Sequence, residues 1–309
     1  MGPRIALMAV LGCLAVASRA QVTSGEILGV IHDPTNAATA DARVGVRNLE
    51  TNDRRNTTSD PEGRFRLPQL PVGAYELTVE KDGFAAYQQG PIVLRLNQYA
   101  DLQVQLTLSG VTEKVTVTAD APLINTTNAE MGANFDRKRI SELPLGPGRN
   151  ILNLVLSVAG VSQFQSGQNP ALAVAGGVAF SVNGFRLRSN NFMIDGQDAN
   201  ASNVTGLAHE IQNPDIVAEV RLITNQFAPE YGRAAGSVVN IITKSGGNQF
   251  HGAAFWFQNN NHLNSRSNLD EAPGKGIDQA PFRIENQFGG TLGGPVKKDR
   301  TFFFASLQR

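Results

Sequence analysis

Two carboxylates, Asp195 and Asp198, stand three positions apart in the run Phe192-Met193-Ile194-Asp195-Gly196-Gln197-Asp198. Carboxylates this close can share acid and base work or hold a calcium ion. Only Gly196 and Gln197 separate them, without the spaced ligands of a calcium loop. The pair therefore reads as a turn, with Asp side chains accepting from backbone amides. His209 precedes Glu210, but no further ligand follows at metal spacing. Ser181 and Ser237 lack the frame of an exposed nucleophile. His32 lies in an alternating run and reads as structural. Cys13 is the single cysteine. No catalytic, metal-binding or cofactor-binding residue is assigned, and the expectation is a protein that is not an enzyme and uses no cofactor.

What positions such residues is a chain of 309 residues with 31 Gly, room for about two domains. Lys and Arg number 27 and Asp and Glu 27, so no basic excess exists to hold a phosphate backbone. Charged residues are only 17% and hydrophobic ones 41%, too apolar for a disordered chain. The Gly content suits a turn-rich β protein. Residues 1–20 have the form of a secretory signal peptide: Arg4, an apolar run from Ile5 to Ala17, then Ser18-Arg19-Ala20. Cleavage after Ala20 would remove Cys13, and with it disulfides, Cys-ligated zinc and Cys nucleophiles. An exported, cysteine-free, glycine-rich β protein reads as bacterial envelope.

From 21 to 108, short alternating runs are separated by turn residues. Ile27, Gly29 and Ile31 alternate before Asp33-Pro34, and Asp60-Pro61-Glu62-Gly63 is a β-turn. Phe65 and Leu67 follow, then Tyr75, Leu77 and Val79, and finally Leu102, Val104, Leu106 and Leu108 on one face. Period-two patterns at this spacing predict a small antiparallel sandwich. Within 109–120, Glu113-Lys114-Val115-Thr116-Val117-Thr118-Ala119 is β-branched and alternating. It is either one more edge strand or an extended peptide that pairs with another protein's sheet edge.

The texture changes over 121–246. Ile151, Leu152, Leu154, Val155 and Val158 recur at helical spacing and predict a short amphipathic helix. Asn183-Gly184 is a hairpin-like turn signal. Asp215 to Glu219 predicts a helix or turn leading into a strand over Val220–Thr224, and Gly236 to Lys244 a buried strand. Mixed elements without a long helix indicate a small α+β domain. Nine of the 21 aromatic residues then fall in 247–309. Strands are expected over Phe250–Phe257, through Ile284–Leu292 and over Thr301–Leu307, with a long loop up to Pro281 and a short turn from Pro295 to Arg300. Ile284, Asn286, Phe288, Gly290 and Leu292 share one face, while Glu285, Gln287, Gly289 and Thr291 share the other. Such alternation is the pattern of an outer-membrane barrel, and three strands alone cannot close one.

Several motifs carry a resemblance. Gly29-Val30-Ile31-His32-Asp33, Asp60-Pro61-Glu62-Gly63-Arg64-Phe65, Leu70-Pro71-Val72-Gly73 and Lys81-Asp82-Gly83-Phe84 resemble the carboxypeptidase-regulatory-like domain. Gly148-Arg149-Asn150, Ser181-Val182-Asn183-Gly184-Phe185-Arg186, Asn190 to Asp198, Phe227-Ala228-Pro229-Glu230-Tyr231-Gly232-Arg233 and Val239 to Gly246 resemble the plug of TonB-dependent outer-membrane receptors, Oar-like group. The resemblance implies a mainly β protein: a seven-stranded-type sandwich, an α+β plug and the first strands of a transmembrane β-barrel, which in this family has 22 strands. The chain would then be the N-terminal part of a longer receptor. The resemblance makes Glu113–Ala119 the TonB-box-like strand. It gives Asn183, Gly184, Arg186, Asp195, Gly196, Asp198, Glu230, Tyr231, Gly232, Arg233 and Lys244 structural roles, with Glu230, Arg233 and Lys244 facing the barrel wall. Implied partners are the TonB energy-coupling protein, outer-membrane lipid and an extracellular solute. The rival expectation is an envelope carbohydrate-binding or adhesion protein.

Overall fold

The computed structural model describes residues 24–109, 114–117, 130–143, 145, 149–163, 178–201, 207–209, 211, 213–227, 231–232, 234–263, 282 and 284–309. The expected signal peptide, 1–20, lies outside them.

The first unit is a sandwich of two sheets. Strands β1 (Ser24–His32), β2 (Arg43–Asn48), β3 (Arg54–Thr58), β4 (Arg64–Pro71), β5 (Gly73–Glu80), β6 (Ala86–Leu94) and β7 (Tyr99–Gln105) follow one another along the chain. One sheet has the order β4-β1-β7; the other runs β3-β2-β5-β6 and ends on β8 (Lys114–Val117). Alternation dictates the core: Ile27 and Ile31, Val44 and Val46, Phe65 and Leu67, Leu77 and Val79, and Leu102, Val104 and Leu106 all turn inward. Two pairings depart from the antiparallel expectation, because β1 pairs β7 and β6 pairs β8 in parallel. Gly29 allows the first: a Cβ there would lie 2.1 Å from the Leu102 carbonyl oxygen.

The second unit is built on a mixed five-stranded sheet of β9 (Met131–Phe135), β12 (Asn190–Ile194), β13 (Gln197–Asp198), β14 (Val217–Asn225) and β15 (Ser237–Thr243), ordered β13-β12-β15-β14-β9. Helix α1 (Arg137–Glu142) follows β9 and is capped by Asp136, whose carboxylate accepts from the Arg139 amide. A separate ribbon joins β10 (Val161–Gln163) to β11 (Phe180–Val182). The helix expected near residue 151 is a 3-10 helix, Ile151–Ser157. Asn150 caps it by accepting from the Leu152 amide at 2.9 Å. Ile151, Leu152, Leu154 and Val155 are all buried. One face of the sheet (Phe135, Phe192, Val220, Leu222, Val239, Ile241) packs on these residues and on Phe180, whose ring meets Phe192 edge-on at 5.8 Å.

The third unit is an antiparallel meander of β16 (His251–Asn260), β17 (Ile284–Lys297) and β18 (Thr301–Gln308). Its polarity is inverted. Trp256, Ile284, Phe288, Leu292, Val296 and Leu307 are all exposed, whereas Thr291 on the opposite face is buried. On β17 an apolar outward face and an inward face of polar residues and glycine fit a strand bathed in lipid.

Candidate functional site

Of the candidate coupling strand, Glu113, Thr118 and Ala119 lie outside the described residues. Lys114–Val117 form β8, with Ala86 opposite Lys114, Tyr87 opposite Val115, Gln88 opposite Thr116 and Gln89 opposite Val117. The segment is thus an edge strand of the sandwich, and among the described residues no strand pairs with its other side.

Most of the plug-like motif residues build turns and pins. Asp195 (φ +49°) and Gly196 (φ +78°) form a two-residue turn with both residues left-handed, joining β12 to β13. The Asp195 carboxylate accepts from the Thr243 amide at 2.8 Å and from its hydroxyl at 2.6 Å, which pins the hairpin to the end of β15. Asp198 accepts from the Asn200 amide at 2.9 Å. Asn183 and Gly184 are also left-handed, and the Phe185 amide donates to the Val182 carbonyl across them. β11 pairs backwards with β10 rather than with a strand after this turn. The Asn183 side chain donates to the Thr224 carbonyl at 3.0 Å. Arg186 precedes the 3-10 turn Leu187–Ser189 without capping it through its side chain. Tyr231 is buried with Met193, Ile223 and Val238, and Gly232 beside it is left-handed. Glu230 and Arg233 lie outside the described residues.

The residues first weighed for chemistry are tied into structure. The Ser237 hydroxyl donates to Asn190 Oδ1 at 2.9 Å, and the Ser181 hydroxyl to the Phe185 carbonyl at 2.6 Å. His209 donates its amide to the Ala199 carbonyl; Glu210 lies outside the described residues. Among the described residues no three His, Cys, Asp or Glu side chains gather at metal-binding spacing.

Lys244 lines a cleft of about 400 Å³ with Arg137, Ile140, Arg149, Asp215 and Phe257. Burial lowers its ammonium below the usual lysine range, and Arg137 adds repulsion that Asp215 opposes. Arg149, quoted in the motif but given no role by the sequence, is the more telling cation here. Its Nη2 donates to Asp215 Oδ2 at 2.9 Å, and its guanidinium carbon lies 3.5 Å from the Phe257 ring centroid and 5.3 Å from that of Phe255. These rings occupy the inward face of β16. Asn213, one turn away, donates to the Ser306 hydroxyl on β18 at 2.7 Å. The second unit therefore sits against the inward face of the meander, where Phe255 and Phe257 meet Arg149.

A second contact joins the sandwich to the five-stranded sheet. Leu96, just past β6, is fully buried. Its amide donates to Glu219 Oε2 at 3.4 Å, and Arg221 donates to its carbonyl. Arg221 also pairs with Glu130 at 3.0 Å, and Asn134 donates to Glu219. Burial raises the Glu219 carboxyl above the usual range, although Asn134, the Leu96 amide, Arg95 and Arg221 favour its charged form. Nothing in the sequence marks this clasp, because Glu219 and Arg221 alternate with apolar residues as a solvent-facing strand would. A third contact runs through Asp299, in the short turn between β17 and β18. Its carboxylate accepts from Asn52 at 3.0 Å, in the turn between β2 and β3, and from Asn248 at 2.8 Å. The sandwich thus meets the meander at its short-turn end.

A sheet with one apolar, exposed face, a mixed domain against its other face and a sandwich at its short-turn end fit an outer-membrane barrel protein with appended domains. Residues 26–107 match the Carboxypeptidase regulatory-like domain and residues 242–309 the Outer membrane beta barrel domain. The TonB-dependent transporter Oar of Myxococcus xanthus is 30% identical over 297 residues, covering 95% of this chain and 27% of that protein. Nearly the whole of this chain is thus similar to part of a TonB-dependent outer-membrane transporter, and its place is the cell outer membrane. It spans about a quarter of the length of the curated relative it matches. Among solved structures, the siderophore receptor PirA of Acinetobacter baumannii is similar at 19% identity, with a TM-score of 0.42 over 57% of this chain and 24% of that one. The ferric enterobactin receptor of Pseudomonas aeruginosa gives 0.37 at 19% identity, over 54% and 22% of the two chains. A catechol 1,2-dioxygenase from an Acinetobacter species gives 0.24 at 14% identity, over 34% and 60%. Likenesses this loose carry no inference about substrate or activity.

Proposed function

We propose that this chain supplies the periplasmic sandwich (21–108), the linker with its coupling strand (109–120), the plug (121–246) and the first wall strands (247–309) of an energy-coupled outer-membrane transporter. It does no covalent chemistry. A large or scarce solute binds on the outer side. The segment Glu113–Ala119 then pairs with a strand of the periplasmic TonB protein, and force on it rearranges the plug within the barrel. The observation that carries this reading is the seating of the second unit, through Arg149 and Asn213, on the inward face of strands whose other face is apolar and exposed. The order of units along the chain supports it, because the candidate strand lies between sandwich and plug, where a pull reaches both.

Deleting Glu113–Ala119 from the receptor should abolish uptake of its solute while leaving surface binding of that solute intact. Uptake at the parental rate would sink the coupling role.

A further inference from the structure

The sheet edge that holds β8 has limits that the sequence explains. β6 runs from Ala86 to Leu94, but only Ala86–Gln89 are paired with β8. The next residues are Gly90 and Pro91. Proline has no amide hydrogen to offer a ladder, and glycine weakens a strand. The part of β6 able to accept a strand is therefore the four-residue stretch that Lys114–Val117 occupies. Left uncovered, it would be an open edge ready to pair with other chains. Beyond the proline, β6 leads to Leu96, which Glu219 and Arg221 of the plug sheet grip by its backbone. The accepting edge is thus fixed to the plug by the same strand.

We propose that β6 is the resting partner of the coupling strand: the sandwich stores Lys114–Val117 along this edge, and the energy-coupling protein engages the segment by strand exchange with β6. The proposal rests on the reading of Glu113–Ala119 as the coupling segment and goes beyond it by assigning the sandwich a purpose. A four-residue ladder offsets little more than the entropy of ordering those residues, so the stored strand is exchangeable. The partner's apparent affinity is lowered by the fraction of receptors whose strand is stored.

The test uses the receptor in detergent and the purified periplasmic domain of TonB as probe. Gln88 and Thr116 are opposite one another in register, and no cysteine follows position 13. A receptor carrying Gln88→Cys and Thr116→Cys should form a disulfide on oxidation. Binding of the TonB domain should then fall by about tenfold or more and return on reduction, since locking the pair removes the competent fraction. The Gln88→Ser, Thr116→Ser receptor, which cannot cross-link, should bind alike under both conditions. No disulfide, or an oxidised receptor that binds as tightly as the reduced one, overturns the proposal; the latter would mean that the partner adds to the outer side of β8. The Glu113–Ala119 deletion separates this failure from that of the coupling reading, because a deletion receptor that still binds the TonB domain refutes the reading itself.

Discussion

Arg149 joins two kinds of partner in one side chain. The side chain is mostly buried, at 17% exposure, and pairs with Asp215 on one side while lying over the Phe257 ring on the other. Alanine there would leave Asp215 without its cation and uncover the ring, at a cost of about 1–3 kcal/mol. Lysine would restore the charge without the planar fork or the stacking. Amide exchange at Leu152–Val155, which follow directly in the 3-10 helix, should quicken in Arg149→Ala, with Arg149→Lys only partly protective. Equal protection in Arg149→Lys and the parent would show that charge alone suffices. The sequence revealed the Asp195 and Asn183 turns because turn chemistry is local: an Asp or Asn before Gly is enough. It could not reveal the role of Arg149, since Phe257 lies 108 positions away and an aromatic beside a barrel strand reads equally well as lipid-facing.

Strand β17 sorts its residues by face, so adjacent positions should respond oppositely to the same change. Phe288 is on the exposed apolar face opposite Trp256, and Gln287 is on the inward face opposite Phe257. Arginine at 288 would place a charge in lipid, costing about 2–4 kcal/mol near the bilayer midplane and less toward its edges. Arginine at 287 would meet the polar side and leave assembly nearly unchanged. Heat-modifiable migration of the two receptors on gels measures this, and equal loss of the folded form in both would refute the assigned faces. Period two made these faces legible, as it did the sandwich core. Parallel partners were not legible: β1–β7 and β6–β8 bring together strands with no turn between them, and alternation says which face is buried but not which neighbour lies alongside. The 3-10 helix was missed for a related reason, because apolar spacing over seven residues does not distinguish three residues per turn from 3.6.

Across the whole molecule, the clasp at Leu96 ties the sandwich to the five-stranded sheet. Glu219 is buried in this contact, and opening the contact would return its carboxyl to water. Burial raises its carboxyl in the docked state, so that state holds a proton more tightly than the open one. Docking is then favoured below the ordinary glutamate range and loses that contribution as pH rises through the raised value. Arg95, Arg221, Glu130 and Asp136 surround the site, and the effect of the two arginines opposes burial without overcoming it. Glutamine at 219 keeps an oxygen for the Leu96 amide and removes the titration. Exchange of the Leu96 amide, corrected for its intrinsic rate, should speed up as pH rises above the ordinary glutamate range in the parent and stay flat in Glu219→Gln. A slope of opposite sign, or one that survives the substitution, would show that another group governs the contact. Because the chain passes directly from β6, the accepting edge for β8, into this clasp, opening at Leu96 should also free the stored strand. The exchange of the Lys114–Val117 amides should therefore follow the same pH course, and an independent course would mean that plug docking and strand storage are uncoupled.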